Sequence, residues 1–222
     1  MRQAIVGGAY VARSVNAADN QMVNLFPEAV PEGGKAAGWL QRAPGLKYQQ
    51  TTGDGPIRGL WTLSDKSRFF VVSGTEVYML TGVTATATLI GSVTGAGQVS
   101  ITDNGTQVFF ACNPDGFIYN VNTHAFAQIT DPDFPGAVTV GYLDGYFVFN
   151  EPESQRIWVT TLLDGSSVDP LDFASAEGSP DGLVAIIINH REAWLFGTGT
   201  VEVWYDAGLA DFPLARIQGA FN

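Results

Sequence analysis

Residues 98–121 have the sequence QVSITDNGTQVFFACNPDGFIYNV, and this stretch decides the fold. It contains three short runs rich in apolar, β-branched and aromatic residues, at 98–102, 107–111 and 117–121. An Asn-Gly pair separates the first two runs, and an Asp-Gly pair separates the last two. Such pairs tolerate positive φ, which two-residue hairpin turns require. The stretch therefore predicts antiparallel strands joined by tight turns.

The same pattern recurs at a nearly fixed period. Aligning the first strand of each group gives separations of 41, 39 and 45 residues, and each group ends in a weaker fourth strand. Four short strands in a repeat of about 40–45 residues are typical of β-propeller blades. A meandering sandwich of the same strands is the alternative. The aligned positions are Leu60, Ile101, Val140 and Ala185, and the aromatic second strands are RFFVV at 68–72, QVFFA at 107–111, YFVF at 146–149 and AWLF at 193–196.

The sequence thus predicts an all-β fold of β-propeller-like repeats, each of four short antiparallel strands, preceded by an extended N-terminal arm. Residues 1–55 are predicted to form the arm, because they combine Pro and Gly turns with no sustained period. Residues 56–222 form the propeller-like domain. Because no segment is available to complete the first blade, we expect an incomplete ring, which a longer chain or another component would close. The predicted blades are roughly 56–95, 96–132, 133–178 and 179–222.

Composition removes several classes of protein. The 222 residues are 45% apolar, which excludes a disordered chain, and 26 glycines disfavour long helices. A single cysteine excludes a disulfide framework and a cysteine-based metal site. The longest apolar run, 183–188, is far too short to span a membrane.

The charge is distributed unevenly. Residues 1–50 carry five basic and three acidic side chains, so the remaining residues carry a net charge of −13 within the total of −11. Such an acidic body repels phosphate groups, so tight binding to nucleic acids or to anionic membranes is not expected. DNA could still pass along this surface without adhering to it.

No arrangement of residues predicts a catalytic, cofactor-binding or metal site. Neither His124 nor His190 has a serine or cysteine nucleophile in a recognisable motif. A pair of carboxylates could serve a surface propeller that binds or hydrolyses glycans, which is the alternative function. The candidate carboxylates lie beside Gly or Pro in predicted turns, which explains them without catalysis. They are Asp131, Asp133, Asp144, Glu151, Glu153 and Asp181.

The segment 179–205, SPDGLVAIIINHREAWLFGTGTVEVWY, resembles a known family. It is similar to the packaged DNA stabilisation proteins of short-tailed bacteriophages, which are tail accessory factors that form a tail hub or nozzle. The arm agrees, with RSVNA at 13–17, VNLFPE at 23–28 and APGL at 43–46. Members of that family are considerably longer than this chain.

The resemblance implies a structural virion protein of the phage tail, made in the cytoplasm of the host bacterium, with no enzymatic step and no cofactor. It implies a homo-oligomer, suspected to be a hexameric ring, that closes the portal channel and stabilises packaged DNA. Phage adaptor and portal proteins and a tailspike or tail needle would be its partners, with DNA passing without tight binding.

Seven residues are candidates for contacts between subunits. The arm contributes most of them, because its apolar side chains need a surface on which to lie. In the last repeat, a carboxylate and an indole alternate with two valines, so blade packing is the other explanation for that pair. The candidates are Arg13, Asn16, Asn24, Phe26, Trp39, Glu202 and Trp204.

Overall fold

The computed structural model describes residues 23–30, 38–82, 86–176, 178, 181–209 and 212–221. Within these ranges every regular element is a β-strand. The chain divides into two compact units, Met1–Tyr48 and Gln49–Asn222.

The first unit contains a β-hairpin rather than an extended arm alone. Strand β1 (Leu25–Ala29) pairs antiparallel with β2 (Gly38–Arg42). The sequence did not reveal these strands because β1 contains Pro27, which lacks a backbone donor, and the segment shows no sustained alternation. A two-stranded hairpin tolerates this proline, since both of its strands are edges.

Among the residues that the structure describes, the second unit has four separate sheets, and each has four antiparallel strands in chain order. We call these sheets blades 1 to 4. The strands of the first two blades are β3 (Ile57–Thr62), β4 (Phe69–Ser73), β5 (Glu76–Leu80) and β6 (Thr88–Ser92), followed by β7 (Ser100–Asp103), β8 (Gln107–Cys112), β9 (Asp115–Asn120) and β10 (Phe126–Gln128).

Blades 3 and 4 repeat the arrangement. The prediction of an all-β, propeller-like fold is confirmed. The remaining strands are β11 (Val140–Leu143), β12 (Tyr146–Asn150), β13 (Arg156–Val159) and β14 (Phe173–Ser175), followed by β15 (Leu183–Asn189), β16 (Glu192–Gly197), β17 (Val201–Asp206) and β18 (Leu214–Phe221).

Three buried clusters join consecutive blades. Successive side chains in a strand point to opposite faces of its sheet, so each second strand serves two interfaces. In β8, Phe110 packs against blade 1 beside Phe70, whereas Phe109 packs against blade 3 beside Phe147 and Phe149. The interface between blades 3 and 4 is mainly aliphatic. The alternating aromatic pattern therefore builds blade-on-blade contacts.

The predicted turns have mixed outcomes. Asn104-Gly105 joins β7 to β8, and Asp144-Gly145 joins β11 to β12 with positive φ at both residues, as a tight hairpin turn requires. Asp115-Gly116 instead lies inside β9, and the turn before it contains Asn113-Pro114 with a cis peptide bond.

A fourth strand was expected in blade 3, but the position of β14 was not predicted. It has only three residues, and the long connection over residues 160–172 separates it from β13. An element so short and so distant from its partner carries no periodic signal of its own.

Candidate interaction surfaces

Three predicted contact residues lie in or beside the hairpin of the first unit. Phe26 lies opposite Gln41, and Trp39 lies opposite Glu28, so the two aromatic side chains share one face of the hairpin. Both are exposed. Asn24 precedes β1 with a positive φ, and its carbonyl accepts a hydrogen bond from the Ala43 N–H at 2.8 Å. Arg13 and Asn16 lie outside the described residues.

The other two predicted residues, Glu202 and Trp204, lie on the face of blade 4 that packs against blade 3. Trp204 is part of that buried cluster, and Glu202 is only 3% exposed. The Glu202 carboxylate accepts hydrogen bonds from Trp204 Nε1 at 2.9 Å and from the Gly178 N–H at 2.6 Å. Arg216 lies 3.6 Å from the same carboxylate. These contacts serve packing within the chain, and a contact of either residue with another subunit stays a prediction.

Several candidate carboxylates shape loops. Asp181 accepts hydrogen bonds from the backbone N–H of Gly199 and of Thr200 and from the Thr200 hydroxyl, at 2.8, 3.0 and 2.9 Å. The bond from Gly199 is the main cause that holds the pKa of Asp181 below its usual value. Asp131 accepts from the N–H groups of Asp133 and Val168, and the first of these bonds is the main cause that lowers its pKa. Turn formation thus accounts for these groups.

Glu151 likewise accepts a hydrogen bond from Trp158 Nε1 at 3.2 Å. The structure does not assign an acid and base pair to any of the candidate carboxylates.

The two histidines lie in turns. His124 has a positive φ, and its Nδ1 lies 2.7 Å from the hydroxyl of the buried Tyr119. His190 occupies the turn between β15 and β16, also with a positive φ. Within the described ranges, no group of three or more His, Cys, Asp or Glu side chains is placed to hold a metal ion.

Two polar links between blades were not found from the sequence. At the last residue of β7, the Asp103 carboxylate of blade 2 accepts from Trp61 Nε1 of β3 at 2.7 Å, and from the hydroxyl of Ser64, in the turn after β3, at 3.1 Å. Asp144 of blade 3 pairs with Arg191 of blade 4 at 2.7 Å. The partners are 39–47 residues apart in sequence, about one repeat length, and this spacing is the signal that could have indicated the two links.

At the opposite end of blade 1, the Arg58 guanidinium donates to the backbone carbonyls of Gly97, Gly74 and Thr94, at 2.6, 2.8 and 2.8 Å. Arg58 is only 7% exposed. It joins the turn after β4 to the connection between blades 1 and 2.

Blade 1 has a free face, which we define as the side turned away from blade 2. Leu60, Val71 and Tyr78 lie side by side across it. Leu60 is 57% exposed, and Val71 lines a groove of about 430 Å³. The other residues that line this groove are Gln49, Gln50, Thr52, Thr62, Lys66, Ser67, Arg68, Phe69, Leu80 and Gly82.

Blade 4 has a corresponding free face, turned away from blade 3. Ile187, Trp194 and Val203 lie side by side across its first three strands. Ile187 is 55% exposed, and Trp194 and the neighbouring Tyr205 are exposed as well. Among the described residues, no buried hydrophobic cluster contains side chains from both blade 4 and blade 1.

Blades of four antiparallel strands whose first strands lie next to one another define a β-propeller. Similar solved structures include the computationally designed Ika4 protein, at 14% identity and a TM-score of 0.53, covering 73% of this chain and 99% of that chain. The β-propeller domain of Myceliophteria thermophila Cps50 (Swd1) is similar at 9% identity and a TM-score of 0.59, covering 87% and 67%.

A catalytically inactive virginiamycin B lyase from Staphylococcus aureus is similar at 14% identity and a TM-score of 0.57, covering 78% of this chain and 59% of that chain. At these identities the likeness concerns the fold alone.

The particular family follows from the sequence as a whole. A family model described as bacteriophage P22 Gp10, β-propeller, matches residues 1–221, and the chain belongs to this family of phage stabilisation proteins. The suspected resemblance to packaged DNA stabilisation proteins is thereby confirmed. No curated protein matches the sequence. Among the described residues, no helix is long and apolar enough to cross a membrane.

Proposed function

We propose that this protein is a structural component of the phage tail hub, which closes the portal channel after packaging and keeps the genome inside the capsid. The observation that carries the proposal is the family match over residues 1–221, which makes the chain a phage DNA-stabilisation β-propeller. In this proposal the protein forms a homo-oligomeric ring, suspected to be a hexamer, contacts adaptor and portal proteins, and offers a tailspike or tail needle its attachment surface. It is made in the host cytoplasm and acts in the virion without an enzymatic step.

The charge distribution supports a role beside DNA. Residues 51–222 carry a net charge of −13, so a channel lined by this body would repel the phosphate backbone. DNA would then leave during infection without being held by the wall. Retention of the genome would depend on a steric block and not on affinity for DNA.

The hairpin of the first unit supports a role in assembly. An isolated two-stranded hairpin is only marginally stable in water. This hairpin carries exposed apolar and aromatic side chains, including Leu25, Phe26 and Trp39. In the proposal it docks on a neighbouring subunit or on the adaptor ring, which would bury these side chains and stabilise the hairpin.

The proposal is tested in the phage that encodes the protein, by blocking its synthesis with a nonsense mutation. We expect heads that package DNA and then lose it, because nothing closes the portal. The measurement is the fraction of filled particles by electron microscopy, together with DNA that becomes accessible to nuclease. Adding the purified protein to freshly packaged heads should restore protection.

A variant of the purified protein that lacks residues 1–50 tests the hairpin in the same assay, with the full chain as its matched control. Light scattering reports whether each protein assembles. We expect the truncated protein neither to form the ring nor to protect the DNA. In the nonsense mutant of the first experiment, particles that retain their genome and their tail appendages although the protein is absent would contradict the proposed function.

A further inference from the structure

Two exposed leucines form the tip of a turn in blade 3, at residues 161–164, which we call the leucine turn. Thr161 and Asp164 pair across it, and the Asp164 N–H donates to the Thr161 carbonyl at 3.0 Å. Leu163, the third residue of the turn, has a φ of 62°, a conformation that favours glycine or asparagine. Leu162 is 55% exposed and Leu163 is 59% exposed. The turn thus holds a leucine in an unfavourable backbone conformation with its side chain in water.

The leucine turn is fixed by its surroundings. The Leu163 N–H donates to the Gly145 carbonyl at 2.8 Å, and the adjacent Gly165 N–H donates to Gln107 Oε1 of blade 2 at 2.7 Å. A Cβ built on Gly145 would lie 2.5 Å from Leu162 Cδ1 and 3.9 Å from Leu163 Cδ2, so both leucine side chains lie beside the same point. The two leucines therefore form one apolar spot in a fixed position, and such a group loses little conformational freedom when it binds a partner.

The fold does not explain a leucine at position 163. Glycine would suit the positive φ, and an exposed side chain contributes little burial. A residue that breaks a local rule without a gain in packing indicates a functional position. The turn belongs to blade 3, which packs against a neighbouring blade on each side.

The surroundings of the leucine turn are acidic. The connection over residues 160–172 contains Asp164, Asp169 and Asp172 and no basic residue. In the turn between β11 and β12, Asp144 pairs with Arg191 at 2.7 Å, so these two charges offset each other. A complementary partner therefore presents an apolar pocket with lysine or arginine at its rim.

The propeller unit of a second copy does not fit this description. Residues 51–222 contain only six of the eleven basic side chains in the sequence. Five of these six already bind carbonyls or carboxylates of their own chain, and they are Arg58, Arg68, Arg156, Arg191 and Arg216. The basic surface therefore belongs to a different protein.

We propose that the leucine turn docks into an apolar pocket with a basic rim, on the ring of the packaged head to which this protein binds. Leu162 and Leu163 fill the pocket, and the carboxylates of the connection face the lysine and arginine side chains. The inference rests on the proposed function, which requires the protein to bind the head. It adds the residues and the chemistry of that contact.

The probe is the head purified from the nonsense mutant, which lacks the protein. Purified full-length protein is added over a range of concentrations, and the bound fraction is measured after the heads are sedimented. Leu163→Gly removes the anchor but suits the positive φ, so its melting temperature should lie within about 2 °C of the unmodified protein or above it. Its binding to heads should be about 30-fold weaker, the loss expected for a central contact residue. Binding of the unmodified protein should weaken as salt is added.

Leu89→Ser is the matched control, because Leu89 is 55% exposed on a regular strand of blade 1. It should bind heads like the unmodified protein. Leu162→Ser is the second variant, and it should weaken binding while its circular dichroism spectrum stays unchanged.

The inference is overturned if Leu163→Gly binds heads as tightly as the unmodified protein, or if its melting temperature falls by several degrees, since Leu163 would then serve the fold. Heads that accept this variant normally but take up no tail appendages would place the contact on another partner and overturn it too. So would a variant that loses only self-association in sedimentation velocity, because a second copy would then occupy the turn. If the unmodified protein does not bind heads at all, the proposed function fails. If it binds and protects them while the leucine variants do so equally, only this inference fails.

Discussion

Replacing Arg58 by alanine should strongly destabilise the propeller unit. Its guanidinium joins the carbonyls of Gly74, Thr94 and Gly97, with three hydrogen bonds of 2.6–2.8 Å. A hydrogen bond that involves a charged group contributes about 1.5–3 kcal/mol. Thr94 and Gly97 are exposed, so water can replace part of what their carbonyls lose. We therefore expect the free energy of unfolding to fall by about 3–5 kcal/mol, near the lower end of three such bonds.

The assay for this change is equilibrium unfolding in urea, followed by tryptophan fluorescence and by circular dichroism. Arg58→Lys should lie between the two proteins, because a single ammonium group cannot reach all three carbonyls with the planar geometry of guanidinium. Arg156→Ala is the control: this side chain is 48% exposed and lies 3.9 Å from Glu151 and 4.6 Å from the centre of the Phe173 ring. Surface contacts of this kind contribute about 1 kcal/mol or less. If Arg58→Ala were no more destabilising than Arg156→Ala, the reasoning would be refuted.

Three further predictions concern a glycine, a carboxylate and the cysteine. A Cβ on Gly59 would lie 2.9 Å from the Val99 carbonyl oxygen and from Ile101 Cδ1. Gly59→Ala should therefore lower the free energy of unfolding by about 1–3 kcal/mol. Gly97→Ala is the control, because a Cβ there meets open space, and it should leave the melting temperature nearly unchanged. The pKa of Asp181 is lower in the folded protein than in the unfolded chain. The ionised Asp181 carboxylate therefore contributes to stability above the unfolded pKa of about 3.9, and this contribution is lost as the pH falls through the pKa of the folded protein. Thermal unfolding should therefore show Asp181→Asn as less stable than the unmodified protein at pH 7, and an equal difference at pH 2 would contradict the assignment. Burial raises the pKa of the Cys112 thiol to about 12. A disulfide reagent at pH 8 should therefore react with this thiol only after the protein is unfolded in guanidinium. Rapid reaction of the folded protein would contradict the burial of Cys112.

Most of the propeller could be predicted from the sequence, because its strands are short and sharply bounded. The runs predicted as second strands at 146–149 and 193–196 lie inside the observed strands Tyr146–Asn150 and Glu192–Gly197. Each is an aromatic or aliphatic run that begins directly after a tight turn, so local chemistry marks where it starts. β14 and the hairpin of the first unit were missed for the opposite reason, since a three-residue strand and a strand that contains proline have no recognisable period.

The candidate surfaces were less predictable than the strands. Phe26 and Trp39 were singled out as apolar residues in an extended arm. They lie on one face because of the hairpin register, which no sequence motif indicates. Glu202 and Trp204 were recognised as an unusual pair on one face of a strand. That this face is the one packed against blade 3 depends on the order of the blades.

The sequence by itself determined the all-β fold, the repeat of about 40 residues, the acidic body and the family, because these properties reside in local patterns and in composition. The tertiary structure alone decided which faces are buried. Phe109 and Phe110 are adjacent and equally apolar, yet they serve different interfaces, and Ile187 is exposed beside the buried Ile186. The physical reason is that alternation along a strand assigns side chains to two faces, while only the stacking of blades decides which face meets a neighbour and which remains open.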